Sequence, residues 1–297
     1  MKAVKSILLI LGSVALLLLA WGLIEPYIID ETAHTVAVLG LPQAWAGRKI
    51  AVIGDLQVGM WLDNVSTIRR IVAQIVQAEP AAVLILGDFI YHGGDDPTAR
   101  IEIVVELLKP LADADIPVVA VLGNHDYSVV NYDDPRLETE RAEQLQVALE
   151  EMGIQVLENE VTSLKAPGGA KLYLMGSGSL MARRDNPAKV LENLPADAPR
   201  IALMHNPTTF ERFPADSAPL ALAGHTHGGQ FRLPFTPAWT WVTYFREEEV
   251  HADGWTEAYG AEGNRLYVNR GIGFSIVPLR LNCPPELTWF TLEVSSS

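Results

Sequence analysis

Short apolar runs alternate with amphipathic stretches along most of the chain, a pattern that predicts a layered α/β domain. Residues 49–54 form the first buried-strand pattern. After it, apolar side chains from Ile68 to Val76 recur on one helix face, and Pro80 closes that segment. Further strands are predicted at residues 83–86, 118–122, 172–175, 201–204, 220–223, 266–269 and 287–294, and further helices at 101–109 and 138–152.

The amino-terminal pattern differs from the rest, because residues 6–24 carry no charge and are almost all apolar. At about 1.5 Å per residue, a helix of this length crosses most of a bilayer core. We therefore predict a transmembrane anchor at residues 1–25, a linker and the start of the domain at 26–48, and the catalytic domain at 49–294. A cleaved signal peptide is the alternative, although no persuasive small-x-small cleavage site follows the run.

The charges that flank this segment predict its orientation. Lys2 and Lys5 precede it, whereas Glu25, Asp30 and Glu31 follow it. The positive-inside rule then places a single-pass protein with its domain on the extracytoplasmic side of the membrane.

Composition narrows the classes of function. The chain has 297 residues, of which 49% are hydrophobic, and a formal charge of −14, which argues against broad nucleic-acid binding. Its single cysteine, Cys283, excludes an intrachain disulfide and a thiolate metal cluster, and we expect it to be a small buried residue. No obligate protein partner is evident. Any bound metal must therefore be held by His, Asp, Asn or similar side chains.

Polar clusters stand directly after several predicted strands. They are Gly54-Asp55-Leu56-Gln57, Gly87-Asp88, Gly123-Asn124-His125-Asp126, Met204-His205-Asn206 and Gly224-His225-Thr226-His227. In open α/β sheets, ligands bind at the carboxyl ends of the strands, so these clusters should converge in space. Carboxylate, imidazole and carboxamide groups suit manganese first, with iron, zinc or magnesium as alternatives. Two such cations can clamp a phosphoryl group and activate a water molecule to attack it.

In this order, the clusters resemble the calcineurin-like metallophosphoesterase superfamily, whose pattern is Asp-x-His, Gly-Asp, Gly-Asn-His-Asp/Glu, a lone His and Gly-His-x-His. The resemblance covers residues 49–294. The run Gly-His-Thr-His-Gly-Gly-Gln, with the later Arg-Leu-Asn-Cys-Pro-Pro-Glu, is similar to the bacterial membrane-associated YkuE/YaeI-type branch, which includes UDP-diacylglucosamine pyrophosphohydrolases. The resemblance to the superfamily implies an α/β fold: a four-layer sandwich of two mixed sheets flanked by helices, here preceded by one transmembrane helix.

The resemblance also implies roles for individual residues. The implied metal ligands are Asp55, Gln57, Asp88 and His227 for the first divalent ion, and Asp88, Asn124, His205 and His225 for the second. His125 is similar to the family histidine that contacts phosphate and protonates the leaving group, with Asp126 as its orienting partner. Gln57 departs from the pattern, because the family has His at that position. An amide oxygen is a weaker ligand than imidazole for these metals, so the first site should bind metal less tightly than the second.

The implied activity is hydrolysis of a phosphomonoester, phosphodiester or pyrophosphate by a metal-activated hydroxide, on a phosphorylated small molecule or a lipid-linked substrate. One alternative is a phospho-ligand binding protein with a weakened metal site and little turnover. A protein phosphatase would share the same metal chemistry.

Three other features have both a functional and a structural interpretation. The aromatic-rich segment 231–259 is interpreted as packing of a long loop, with an apolar wall for a lipid substrate as the alternative. Arg183 and Arg184 are interpreted as a surface pair rather than a contact to a second phosphate. We assign no metal to His34, His92 or His251, although His92 could line the cleft.

Overall fold

The computed structural model describes residues 2–91, 96–192, 194–195, 197–232, 252–256 and 259–295. Its helices are α1 (Lys2–Ile24), α2 (Val65–Ala78), α3 (Pro97–Asp113), α4 (Thr139–Glu151) and α5 (Pro187–Glu192). Its strands are β1 (Asp30–Val38), β2 (Lys49–Ile53), β3 (Ala82–Ile85), β4 (Val118–Ala120), β5 (Gln155–Val156), β6 (Glu160–Lys165), β7 (Lys171–Gly176), β8 (Arg200–Leu203), β9 (Ala221–Ala223), β10 (Gly254–Trp255), β11 (Leu266–Val268) and β12 (Glu286–Val294).

The described strands form two mixed sheets. The first has the order β1-β12-β2-β3-β4-β5, in which β12 runs parallel to β1 and antiparallel to β2, and β2 to β5 are parallel. The second has the order β10-β11-β9-β8-β7-β6, with parallel pairing from β11 through β7 and antiparallel pairing at both edges. The parallel strands of each sheet therefore deliver their carboxyl ends to one edge, where ligands bind in such folds.

Apolar side chains fill the space on both faces of the sheets. One cluster packs α2, α3 and α4 against the first sheet through residues such as Ile71 and Leu108. A second lies between the sheets and includes Val52 and Leu203, and a third covers the outer face of the second sheet with Phe210 and Val190. These layers give the two flanked mixed sheets that the sequence predicted.

The amino-terminal helix ends in contact with the domain. Among the described residues, α1 is the one helix long and apolar enough to cross a membrane by length and composition, a test that a signal sequence also passes. The Gly22 carbonyl accepts a hydrogen bond from the Arg280 N–H (3.1 Å), and the buried Glu25 carboxylate accepts the backbone N–H groups of Asn282 (2.8 Å) and Cys283. The end of α1 is thus held to the loop before β12.

The predicted helices and strands are present in the structure with shifted ends, and the structure has several strands that were not predicted. The strand β1 lies within residues 26–48, and β5, β6, β10 and the short helix α5 also had no clear apolar pattern. The helix α3 continues through Pro110, where the predicted helix ended. Cys283 is buried, as expected.

Candidate metal centre

The polar clusters converge where the two sheets meet. Asp55, Asp88 and Asn124 follow β2, β3 and β4 of the first sheet, while His205 and His225 follow β8 and β9 of the second. Two groups of side chains bring potential ligand atoms within 4.8 Å of one another: Asp55, Asp88 and His227, and Asp88, His205 and His225. Asp88 belongs to both groups, so its carboxylate is the centre of the arrangement.

The backbone of this region is strained. Five residues that are not glycine have positive φ angles here: Asp55 (51°), Gln57 (52°), Asp88 (54°), His225 (73°) and His227 (50°). Non-glycine residues in such conformations cost on the order of 1–3 kcal/mol each and cluster at functional sites. The sharp turns at the strand ends are what aim these side chains at one another.

Asp88 is fully buried, and both of its carboxylate oxygens have partners. Oδ1 accepts a hydrogen bond from the His125 backbone N–H (2.8 Å), while Oδ2 lies 2.8 Å from Gln57 Nε2 and 3.2 Å from His205 Nε2. Gly123 packs against this carboxylate so closely that a side chain there would collide with it. The loop after β4 can therefore approach Asp88 only with glycine at this position.

The first ligand group surrounds His227. Its Nε2 lies 3.4 Å from Asp55 Oδ1 and 3.5 Å from Gln57 Nε2. The Gln57 side chain thus lies among the potential ligands, and its Oε1 is buried with no hydrogen-bond partner among the described residues. Amide O and N atoms are assigned from their surroundings, so a flipped amide would direct this unpartnered oxygen at Asp88 and His227.

The second group surrounds His205 Nε2. His205 Nδ1 lies 2.7 Å from the Leu86 carbonyl and donates a hydrogen bond to it, so Nε2 is the nitrogen that faces the site. Around Nε2 lie Asn124 Oδ1 (3.1 Å), Asp88 Oδ2 (3.2 Å) and His225 Nδ1 (3.3 Å). Asn124 is oriented by its own Nδ2, which donates to the Val129 carbonyl (2.7 Å). Several electron-pair donors therefore converge on one point, as a cation site requires.

The pKa shifts of the groups in the centre also indicate that buried carboxylates here need positive charge nearby. Burial raises the pKa of Asp55 to about 7, His205 opposes this rise, and Asp88 adds to it. Burial alone would raise the pKa of Asp88 as well, but His205 and His125 hold it below its ordinary value. Asp88 in turn raises the pKa of His205 to about 9 against the effect of burial. Burial and Arg280 keep the pKa of His227 well below 6.5, so its ring stays neutral and able to bind a metal.

These observations test whether a metal pair fits the site, and it does. Two buried carboxylates lie beside imidazole nitrogens that face inward, and among the described residues Gln57 Oε1 and His227 Nδ1 are buried without hydrogen-bond partners. Oxygen and imidazole ligands suit divalent cations such as Mn²⁺, Fe²⁺, Zn²⁺ or Mg²⁺.

His125 and Asp126 lie beside this centre on a short 3-10 turn. The His125 ring stacks on Tyr91 with a centroid distance of 5.5 Å. Asp126 accepts three backbone N–H groups, from Asp88 (3.0 Å) and Gly123 (2.8 Å) at Oδ2 and from Ile90 (3.1 Å) at Oδ1. Asp126 therefore ties together the loops after β3 and β4, and its predicted role as the orienting partner of the His125 ring stays a prediction.

Two buried arginines support the centre. Arg141 of α4 donates to the backbone carbonyls of His125 and Asp126. Arg280 is fully buried and donates to the carbonyls of Arg270, Gly271, Gly273 and Cys283. Arg141 has no motif around it, whereas Arg280 lies in the Arg-Leu-Asn-Cys-Pro-Pro-Glu run that the sequence singled out.

The other residues that the sequence analysis singled out either make contacts elsewhere in the structure or lie outside the described residues. Arg184 pairs with Glu158 (2.6 Å), and Arg183 donates to the Tyr132 carbonyl (3.0 Å). His34 packs against Tyr267, Trp255 and Phe290. The histidines at positions 92 and 251 lie outside the described residues, as does most of the aromatic-rich segment, residues 233–251 and 257–258.

Comparison with known proteins places this centre in a family. The profile of the calcineurin-like phosphoesterases matches residues 48–229. Phosphodiesterase YaeI of Escherichia coli (strain K12) is 32% identical over 249 residues, 82% of this chain and 82% of that protein. Metallophosphoesterase YkuE of Bacillus subtilis (strain 168) is 27% identical over 270 residues, 91% of this chain and 87% of that one. UDP-2,3-diacylglucosamine pyrophosphatase LpxG of Chlamydia muridarum (strain MoPn / Nigg) is 24% identical over 291 residues, 83% of this chain and 85% of that protein.

Proposed function

Because this chain belongs to the calcineurin-like phosphoesterase family, a family of hydrolases, we propose that it hydrolyses a phosphate ester or pyrophosphate with two divalent cations. The observation that carries the proposal is the shared position of Asp88 in two ligand groups. A carboxylate in that position can bridge two cations, which is the arrangement of two-metal hydrolysis.

Each cation would have its own set of ligands. The first would be held by Asp55, Gln57, Asp88 and His227, and the second by Asp88, Asn124, His205 and His225. When bound, the cations polarise the phosphoryl oxygens and lower the pKa of a water molecule, and manganese is the metal we propose first. The chain's own groups hold this set in place, through the Leu86 and Val129 carbonyls behind His205 and Asn124.

His125 is the group we assign to the leaving oxygen. Its backbone N–H is fixed by Asp88, and its carbonyl is held by Arg141. Its ring lies against Tyr91, which limits the directions in which it can turn. A proton donor placed in this way contributes about 10²–10⁴ in rate.

The substrate class follows from the relatives and from α1. One relative is named as a phosphodiesterase and another as a UDP-2,3-diacylglucosamine pyrophosphatase, which supports phosphodiesters or pyrophosphates as substrates. The apolar helix α1 supports a single-pass anchor, with the domain on the extracytoplasmic side. The substrate would then be a phosphorylated small molecule or a lipid-linked phosphate at that membrane.

The test is hydrolysis of bis(p-nitrophenyl) phosphate by the full chain in detergent with added Mn²⁺. We expect Asp88→Asn to abolish turnover and His125→Ala to lower it about 10²–10⁴-fold. The control is Glu106→Gln, which alters an exposed ion pair with Arg69 and should leave turnover unchanged. If the unaltered chain binds Mn²⁺ but turns over no phosphate ester with any metal, the phospho-ligand binding protein is the correct interpretation.

A further inference from the structure

Two segments run from the metal centre to the end of α1, and each exposes apolar side chains on the way. The first begins at Gln57 and reaches Asp63, whose carbonyl accepts a hydrogen bond from the Tyr27 hydroxyl (3.3 Å). Between these ends lie Trp61, which is 76% exposed, and Leu62, which is also exposed. Covering so much tryptophan surface with an apolar phase would lower its free energy.

The second segment begins beneath the centre and ends on α1 itself. A Cβ at Gly273 would lie 2.6 Å from the Cβ of Gln57, so this backbone packs directly against the first ligand group. Seven residues later, the Arg280 N–H donates to the Gly22 carbonyl (3.1 Å). Between them, Ile276 projects into solvent with 56% of its surface exposed.

The projection of Ile276 is built into the fold. Its φ angle is 65°, which is rare for a β-branched side chain. Gln230 holds the backbone on both sides, because its Oε1 accepts the Ser275 N–H (2.8 Å) and its Nε2 donates to the Val277 carbonyl (2.6 Å). Gln230 is buried at the end of the Gly-His-Thr-His-Gly-Gly-Gln run. The metal-binding motif therefore also fixes an exposed isoleucine in place.

The exposed residues lie close to the metal centre through contacts or through the chain. The Ile276 backbone hydrogen bonds to Tyr91, whose ring stacks on His125. Trp61 and Leu62 lie four and five positions after Gln57. We call Trp61, Leu62 and Ile276 the apolar collar, and it lies between the metal centre and the end of α1.

We propose that the apolar collar rests in the interfacial layer of the bilayer that α1 crosses, so that the entrance to the metal centre faces lipid. This inference rests on the proposed anchor and hydrolytic function. The bilayer is the occupant because α1 leaves the domain within the same patch, beside the exposed Tyr27 and Ile28. Tryptophan and tyrosine favour this layer, where an apolar ring and a polar edge are both satisfied.

The charge of the chain distinguishes this mode of binding from electrostatic attraction. A formal charge of −14 gives the chain as a whole no attraction to anionic headgroups, so we expect contact to come from apolar insertion. The substrate that fits is an amphiphilic phosphate ester, whose apolar part stays in the bilayer while its phosphate reaches the centre. Contact of the collar should therefore be insensitive to salt and should not require anionic lipid.

The direct test is the depth of a nitroxide label in vesicles of phosphatidylcholine, measured by the accessibility of the label to oxygen and to a water-soluble relaxant. Trp61→Cys and Ile276→Cys are labelled in the full chain, in which the native Cys283 is buried. Val147→Cys on α4 is the control, because Val147 is similarly exposed but is not part of the collar. We expect both collar labels to lie about 5–10 Å inside the interface and the control label to lie in water. Collar labels as water-accessible as the control would overturn the proposal.

A second test separates the collar from the chemistry. In the same vesicles, Trp61→Ser with Ile276→Ser should lower hydrolysis of the p-nitrophenyl phosphodiester of a diacylglycerol about tenfold, because partition of the entrance into lipid is lost. Hydrolysis of soluble bis(p-nitrophenyl) phosphate should be unchanged, as should both activities of Val147→Ser. Equal loss on both substrates would contradict the collar. If the unaltered chain hydrolyses neither ester, the proposed function fails, while the label depths still decide the position of the collar.

Discussion

Gln57 gives the metal centre its asymmetry at the scale of single residues. Its side chain contacts Asp88 Oδ2 and His227 Nε2, the position that a metal ligand would take, but it offers an amide in place of an imidazole. A neutral amide oxygen donates charge to a transition metal less strongly than imidazole nitrogen does. The second ligand group, which contains Asp88, Asn124, His205 and His225, has no such replacement of an imidazole by an amide.

We therefore predict that the full chain in detergent binds two Mn²⁺ ions with affinities that differ by about tenfold or more. Gln57→His should tighten the weaker event by about tenfold, because imidazole restores the stronger ligand. Isothermal titration of the metal-free chain measures both events.

The control for this titration adds a histidine elsewhere. Gln146 of α4 pairs with Glu150 on the surface, so Gln146→His changes the histidine count without touching the centre. Two events of equal, high affinity in the unaltered chain would refute the asymmetry.

The residues of the centre could be found from the sequence because each follows a strand in a short polar run. Asp55, Asp88 and His205 needed only the rule that parallel strands deliver their ends to one edge. Arg141 and Tyr91 could not be found in this way. Their contacts depend on how α4 and the loop after β3 pack onto the His125 turn, and no local pattern encodes that packing.

At the scale of elements, Arg280 organises the segment between β11 and β12. Its guanidinium donates to carbonyls of Arg270, Gly271 and Gly273, and it lies within 3.5 Å of the His227 carbonyl. Only a planar group with five N–H donors can satisfy so many carbonyls at once. Arg280 is therefore a major determinant of the shape of this segment.

We predict that Arg280→Lys lowers the free energy of unfolding by about 3 kcal/mol, because several buried carbonyls lose their donors. It should also weaken the first metal site, which contains His227, more than the second. Thermal unfolding in detergent and Mn²⁺ titration measure the two effects.

The matched control is Arg69→Lys, which alters an ion pair with Glu106 in which both side chains are exposed. It should change the free energy of unfolding by no more than about 0.5 kcal/mol. Equal stability of the two variants would show that Arg280 does not organise its segment.

Two differences from the sequence prediction, in β1 and in α3, have separate physical causes. In β1 the inward-facing positions begin with Asp30, Thr32 and His34, so the strand lacks the apolar run that marks a buried strand. The side chains of Thr32 and His34 form hydrogen bonds with Glu286 and Tyr267, which lie on strands far away in the sequence. In α3, Pro110 loses one hydrogen bond, but burial of Leu107, Leu108 and Leu111 keeps the helix continuous.

At the scale of the whole molecule, Glu286 joins the two sheets. Its Oε1 accepts hydrogen bonds from Thr32 of β1 (2.6 Å) and Tyr267 of β11 (2.5 Å), and its Oε2 accepts the Arg270 N–H (2.9 Å). Burial would raise the pKa of Glu286, but Arg270 and the hydrogen bonds from Thr32 and Tyr267 outweigh it and lower the pKa below 4.5.

A carboxyl group with a depressed pKa stabilises the fold above its unfolded-state pKa and loses that contribution as the pH falls through the folded-state value. We predict that Glu286→Gln costs about 2–4 kcal/mol at neutral pH. The difference between the unaltered chain and Glu286→Gln should shrink as the pH falls below 4.5, the ordinary value for this group. Denaturant unfolding across that pH range measures it.

Glu106→Gln serves as the comparison, since this exposed carboxylate pairs with the exposed Arg69. Its effect should be small at every pH. A constant difference between the unaltered chain and Glu286→Gln down to the lowest pH would show that Glu286 is not ionised in the fold.

The orientation of the whole chain in the membrane is a further prediction. Lys2 and Lys5 precede α1 and acidic residues follow it, so a phosphatase reporter fused at the carboxyl end should be active in the exported compartment. Lys2→Glu with Lys5→Glu should lower that activity, whereas Lys109→Glu should not. An inactive reporter on the unaltered chain would contradict the orientation.

The position of β12 between β1 and β2 constrains the order in which the chain can fold. Thr32 and Glu286 lie 254 positions apart, yet they are bonded across adjacent strands. The first sheet therefore cannot close until β12 has been synthesised, because β12 is its second strand in spatial order and the last of the described strands in chain order. A domain built in this way stays open until β12 has been made, which would suit the passage across a membrane that we propose for this chain.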